Sequence, residues 1–227
     1  MTKTATNIIT AIKNYSGQSQ EALIECLNIL PAHGVKKPKN INKLIIDKIL
    51  FTSGVINDYG HRRNEDILIR NCAISPRGKL QDPLSFRTFS FLDVCVTPYE
   101  DSEIFKDWAK EIVLVVWKKE SSKRGAAQIL WDVKLVRIPN SVLFGECKNM
   151  YLALQQRVQN GDIYKLVGGE ILSNLPSATE SAICHVRPKA QKGADQVSLP
   201  VPDKITGAKT MTRQCFWLNK EFIKRFL

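Results

Sequence analysis

The chain has 227 residues, 44% of them hydrophobic, which suits one sizeable globular domain and excludes wholesale disorder. Its 33 lysines and arginines outnumber 22 aspartates and glutamates, giving a formal charge of +11 and making a polyanionic partner the leading expectation. No signal peptide or long uninterrupted apolar span is visible, so a cytoplasmic protein with no membrane partner is expected.

Taken in chain order, residues 4–32 read as two helices broken at Ser16-Gly17. Ser19 is an N-cap, and Leu23, Ile24 and Leu27 lie on one face. A turn with Lys36, Lys37 and Lys39 leads to a helix from Asn40, with Ile41, Leu44, Ile45 and Ile49 at helical spacing and Gly54 as its C-cap. The loop that follows carries Asp58, His61, Arg62 and Arg63. Three strand-like runs come next, 67–74, 86–96 and 112–117, with a turn at Pro76-Arg77-Gly78 and a helix-like stretch over 102–110. Lys118, Lys119, Lys123 and Arg124 form a basic turn before a long strand over 128–138. A helix over 140–159 shows Leu143, Cys147, Met150, Leu154 and Val158 on one face and ends at Gly161. Residues 162–180 read as a second short helix and a loop. The pattern predicts an α+β chain with a central mixed sheet flanked by helices.

The six cysteines are dispersed with no C-x-x-C pair, and most sit in apolar runs. Buried free thiols in a reducing compartment are therefore expected rather than disulfides or a zinc site. His33, His61 and His185 lie far apart and show no metal spacing.

The last 47 or so residues, roughly a fifth of the chain, concentrate the charge argument. Ala182-Ile183-Cys184-His185-Val186 reads as a buried strand ending in Arg187-Pro188-Lys189, where Pro188 stops the ladder and leaves two cations facing outward. A long polar loop carries Lys192, Lys204, Lys209 and Arg213 with almost no acid to balance them. Cys215-Phe216-Trp217-Leu218 is a second apolar run, and a short amphipathic helix follows from Asn219. Two strands carrying a basic, glycine-containing loop suit a phosphate backbone, although a solvated surface loop has the same composition.

The blocks Ile183-Cys184-His185-Val186-Arg187-Pro188-Lys189 and Met211-Thr212-Arg213-Gln214-Cys215-Phe216-Trp217-Leu218-Asn219, in that order, resemble the C-terminal signature of the MutH family. That family comprises the mismatch-repair nickase and related type II restriction endonucleases acting at GATC. The likeness is nearest to the C-terminal half of the two-domain restriction enzymes, where the catalytic signature is itself missing. The resemblance implies a restriction-endonuclease-like (MutH-like) fold over residues 1–227 as a single domain. An N-terminal helical arm of about 1–55 and a core of about 56–227 would then form a DNA cleft between two subdomains.

The resemblance also implies where a nuclease would keep Mg²⁺: an Asp followed by Glu-x-Lys on the first long strand, the carboxylates holding the ion and the lysine polarising water. Here that strand reads Asp66-Ile67-Leu68-Ile69-Arg70, and the alignment uses a hairpin over 74–91 and a Val94-Cys95-Val96 strand. Leu68 then takes the Glu position, Arg70 the Lys position and His61 the Asp position. An aliphatic side chain cannot ligate Mg²⁺, and an arginine does not deprotonate. No cofactor is expected in this register. A rearranged Mg²⁺ site would have to draw on Asp58, Glu65 and Asp66.

For DNA contacts, the resemblance assigns base recognition to Arg187 and Lys189, the first as a bidentate fork on guanine. It puts Trp217 near the adenine whose methylation the nickase senses; a core tryptophan under the terminal helix is the alternative reading. Arg62, Arg63, Lys118, Lys119, Lys192, Lys204, Lys209 and Arg213 are expected phosphate contacts or solvated surface. Two functions follow. One is a sequence-specific double-stranded DNA-binding domain with a degenerate nuclease site, serving a restriction or defence system with a separate catalytic subunit or as a homodimer. The other is an active Mg²⁺-dependent GATC endonuclease with a rearranged site. An RNA-binding module is less well supported, because no RNP or KH motif is present.

Overall fold

The helices of the N-terminal third form because their caps and apolar stripes agree. In the computed structural model, which describes residues 2–29, 37–57, 66–123, 125–189 and 195–227, α1 spans Lys3–Lys13. Thr2 Oγ1 caps it by accepting from the Ala5 amide at 3.2 Å, and Ala5, Ile8 and Ile12 form its buried stripe. Helix α2 (Gln20–Cys26) starts at Ser19, whose Oγ accepts from the Ala22 amide at 3.1 Å, so the expected cap is present. Helix α3 (Ile41–Thr52) buries Ile41, Ile45 and Ile49 and is followed by Gly54 at φ 69°.

The described chain divides into two compact units. The first comprises Met1–Asp82, Lys110–Arg137 and Phe226–Leu227. In it, α1, α2 and α3 cover one face of a three-stranded mixed sheet, ordered β1 (Ile67–Ile74), β3 (Glu111–Lys119), β4 (Gln128–Val136). β1 and β3 run parallel, whereas β3 and β4 are antiparallel. Val113, Val115 and Trp117 of β3 and Leu130 and Val133 of β4 meet Ile12, Leu23, Ile45 and Ile49 in one apolar core. Burial on this scale is the main source of stability, at roughly 25 cal/mol per Å² of apolar surface.

The second unit comprises Pro83–Ala109 and Ile138–Arg225. Its sheet is antiparallel, with β10 (Gln214–Leu218) between β2 (Leu84–Thr88) and β7 (Cys184–Pro188). Phe86 and Phe216 meet Trp108 of α5 (Glu103–Trp108) edge-on, at centroid distances of 5.9 and 5.8 Å. A helical run begins with α6 (Asn140–Val142), passes through a π-helical turn at Leu143–Cys147 and continues as α7 (Lys148–Asn160). It supplies Tyr151, whose ring lies 6.1 Å from that of Phe216. The chain ends with α8 (Lys220–Ile223) and one 3₁₀ turn.

Four expectations need correction. The 86–96 run is not one strand: after β2 the chain forms α4 (Phe91–Val96), started by Ser90, whose Oγ accepts from the Asp93 amide at 3.3 Å. Phe91 and Val94 are buried at helical spacing while Leu92 and Val96 are 51% and 78% exposed, a pattern that a period of two does not produce. Residues 162–180 hold no helix but a hairpin, β5 (Tyr164–Val167) with β6 (Glu170–Ser173), turning on Gly168 and Gly169, both at positive φ. The loop after Lys189 contains a further hairpin, β8 (Gln196–Ser198) with β9 (Thr210–Thr212). Among the described residues, the strands are thus shared among four small sheets instead of one central sheet. Among the described residues, no helix is long and apolar enough to cross a membrane.

Candidate nucleic-acid interface

Alternation along β7 puts Val186 with the apolar core and leaves His185 and Arg187 on the opposite face. Cross-strand register sets Trp217 opposite His185 and Cys215 opposite Arg187, so Trp217 is the diagonal neighbour of Arg187. The Arg187 guanidinium lies over the Trp217 ring, its carbon 4.1 Å from the ring centroid. The indole Nε1 donates to the Arg187 carbonyl at 3.4 Å, so side chain and backbone of one residue are held by the same tryptophan. Trp217 is only half-buried with an exposed arginine over it, rather than sealed in a core under the terminal helix.

His185 stacks on Trp217 with ring centroids 6.3 Å apart and planes inclined by 15°. The histidine is buried and its Nδ1 pairs with Asn219 Oδ1, while Asn219 Nδ2 donates to the Ser181 carbonyl at 2.6 Å. That second bond fixes which end of the amide faces the imidazole, so Nδ1 carries the proton. Burial lowers the His185 pKa, the Asn219 bond acts the other way, and the nearby Arg187 charge lowers it further. The imidazole is therefore held neutral beside the arginine. Sequence reasoning missed His185 and Asn219 as supports, although a period of two already places His185 on the Arg187 face.

A guanidinium held face-on over a ring keeps its in-plane N–H donors for a two-point hydrogen bond, and the 4.1 Å separation suits such a contact. Pro188 causes no ladder defect, because β7 is an edge strand and the proline is its last residue. Lys189 is exposed, and its Nζ donates to the Phe86 carbonyl at 2.7 Å. Its amide donates to the Arg213 carbonyl at 3.2 Å, and Arg213 Nε in turn donates to Asp195 Oδ1 at 2.9 Å. The end of the β7–β10 pair thus gathers Arg187, Trp217, Lys189 and Arg213. Lys204 and Lys209 lie instead in the turn between β8 and β9; Lys204 is within 3.0 Å of Asp162, and Lys209 is exposed. Lys192 lies outside the described residues.

That turn is tied down by Asp203. One of its carboxylate oxygens accepts from the Ile163 and Tyr164 amides at 2.9 Å each, and the other accepts from the Ile205 and Thr206 amides. Burial works to raise the Asp203 pKa, but these bonds outweigh it and hold the carboxyl below its ordinary value.

On β1, Leu68 pairs with Ile112 and Arg70 with Leu114. Ile67 and Ile69 belong to the helix-covered core, so Leu68 and Arg70 point to the other face. Arg70 Nη1 donates to the Ile69 carbonyl at 3.4 Å. Asp66 is exposed at the entry to β1, while His61, Asp58 and Glu65 lie outside the described residues. The Val94-Cys95-Val96 strand that helped set the family register is part of α4, and between Ile74 and Phe91 the expected hairpin is reduced to an isolated Ile74–Leu80 bridge. Among the described residues, no group of three or more His, Cys, Asp or Glu could hold a metal ion. Leu68 and Arg70 offer neither a carboxylate nor a base, so they do not fit a Mg²⁺ site.

No family model matches the chain. It is 22% identical to the type II restriction enzyme Sau3AI of Staphylococcus aureus over a match covering 70% of this chain and 37% of that enzyme. The chain thus has a distant restriction-enzyme relationship and spans little more than a third of that relative's length.

Proposed function

We propose that this chain is a MutH-like, restriction-endonuclease-like DNA-binding domain that recognises a GATC-like duplex site without cutting it. It serves a restriction or defence system in the cytoplasm. Catalysis comes from another subunit, or the chain works as a homodimer; no resident cofactor is required. A match confined to 37% of a restriction enzyme's length suits a module of such an enzyme, as does the likeness to the C-terminal half of the two-domain members.

The observation that carries the reading is the exposed Arg187 guanidinium laid over Trp217. A pre-oriented fork needs little further ordering to meet guanine O6 and N7. Lys189 and Arg213 sit beside it, and the +11 charge supplies the non-specific attraction on which recognition is built.

Gel-shift titrations of the full chain on a GATC duplex and a scrambled one, across a salt series, test this. Tighter binding to GATC is expected, with affinity falling steeply as salt rises. Arg187→Ala should cost about 1–3 kcal/mol on GATC alone and erase the preference. Lys209→Ala should weaken both duplexes alike. Equal affinity of the unmodified chain for both sequences ends the proposal.

A further inference from the structure

Strand β4 contains a bulge whose only evident product is an exposed tryptophan. Val115 pairs with Val133 and Val116 with Asp132, but Trp117 pairs with Leu130, so Trp131 is skipped. Simple alternation from Val133 would set residue 131 opposite Trp117, facing the helix-covered core. The extra residue puts Leu130 there instead, fully buried, and turns Trp131 outward at 51% exposure. Edge protection does not explain the bulge, because the strand is already covered at this point. The Gly17 amide donates to the Leu130 carbonyl at 2.8 Å, and the Leu130 amide donates to the Gln18 carbonyl at 3.0 Å.

The outward indole is met by Lys118, whose Nζ lies 4.0 Å from the ring centroid. Lys119, half-buried and donating to Gln81 Oε1 at 3.3 Å, and the exposed Lys123 follow in the same hairpin, with Glu120 the one acid between them. Asp132 beside the tryptophan is neutralised by Lys134 at 2.7 Å, with Lys13 at 3.8 Å. An exposed indole with a lysine against it is complementary to the edge of a duplex, where phosphates meet the ammonium group and a deoxyribose meets the ring.

We propose that the β3–β4 hairpin is a second DNA contact, in which Lys118 and Lys123 take phosphates and Trp131 packs its indole against the neighbouring sugar. It rests on the reading above only in taking DNA as the partner, and it carries no sequence information.

The test measures absolute affinity of the full chain for both the GATC and the scrambled duplex. Trp131→Ala should lower both by about fivefold or more, and Trp131→Phe should keep most of the affinity. Lys118→Gln with Lys123→Gln should reduce the log–log salt slope by about 2. Melting temperatures should shift only a little for these, since Lys123 is exposed and Trp131 and Lys118 are half-exposed. Unchanged affinity for both duplexes in a folded Trp131→Ala protein overturns the proposal. So does a change of oligomeric state by light scattering without a change in DNA affinity, which would make the surface a protein interface. Loss of GATC preference alone bears on Arg187 and leaves this contact standing, so the two proposals fail separately.

Discussion

Arg187 and Trp217 divide one task between them. An arginine on an edge strand has several rotamers, and ordering it on binding costs about 0.5–1.5 kcal/mol. The indole beneath it meets the cation 4.1 Å from the ring centroid, and its stacking on the neutral His185 and its bond to the Arg187 carbonyl help to hold the ring in place. Were Trp217 to touch adenine directly, its removal would subtract a separate contact. With the guanidinium stacked on it, its removal acts through Arg187. A double-mutant cycle separates the two. Trp217→Leu should cost about 0.5–2 kcal/mol of affinity for a GATC duplex in the unmodified background and close to nothing in an Arg187→Ala background. The measurement is four dissociation constants, repeated on a duplex with N6-methylated adenine, where the coupling should be the same. Additive losses would return Trp217 to the role of a base contact.

At the scale of elements, what was legible followed local chemistry. Ser19 and Gly161 marked real helix ends because capping depends on near neighbours, and the 67–74, 112–117 and 128–138 runs became β1, β3 and β4. The helix over 91–96 was hidden by its β-branched residues, although Ser90 with Asp93 three residues on is a readable start signal. Gly168-Gly169 between two apolar runs was likewise a readable hairpin turn. What no local rule gives is β10 pairing with β2 and β7, since those partners lie far away in sequence. The bulge at Trp131 was equally hidden, because Trp-Asp-Val reads as ordinary alternation until the register with β3 is known. The glycines offer a graded test of how tightly elements are joined. Gly161 has φ 67° and a Cβ there would come within 2.6 Å of the Pro202 carbonyl oxygen, whereas Gly207, also at φ 67°, has open space. Gly207→Ala should cost about 1 kcal/mol from backbone conformation alone. Gly161→Ala should cost more, by about 1–3 kcal/mol, since the Asp203 turn must shift as well. Denaturant titration of both variants reads the difference directly, and equal costs would mean that the turn yields freely.

For the whole molecule, charge and chemistry point in different directions. A charge of +11 favours a polyanionic partner. Cleavage needs more: carboxylates to hold a divalent ion against the scissile phosphate and a group to orient water. β1 offers Leu68 and Arg70 on the face away from the helices, both half-buried, with Asp66 exposed at its entry. A leucine contributes no ligand, and an arginine, always charged, cannot take a proton from water. The purified chain is therefore expected to leave GATC duplexes intact in Mg²⁺ and in Mn²⁺ under conditions where gel shifts show it bound. In the register that the MutH resemblance implies, His61 stands where the family keeps an Asp, so Leu68→Glu with Arg70→Lys is not expected to restore cutting by itself. If the unmodified protein cuts, and a chelator stops it, the assignment of Leu68 and Arg70 is wrong. Replacing Asp66, then Asp58 and Glu65, by their amides would find the carboxylates responsible, each essential ligand lowering the rate by orders of magnitude while leaving binding largely in place.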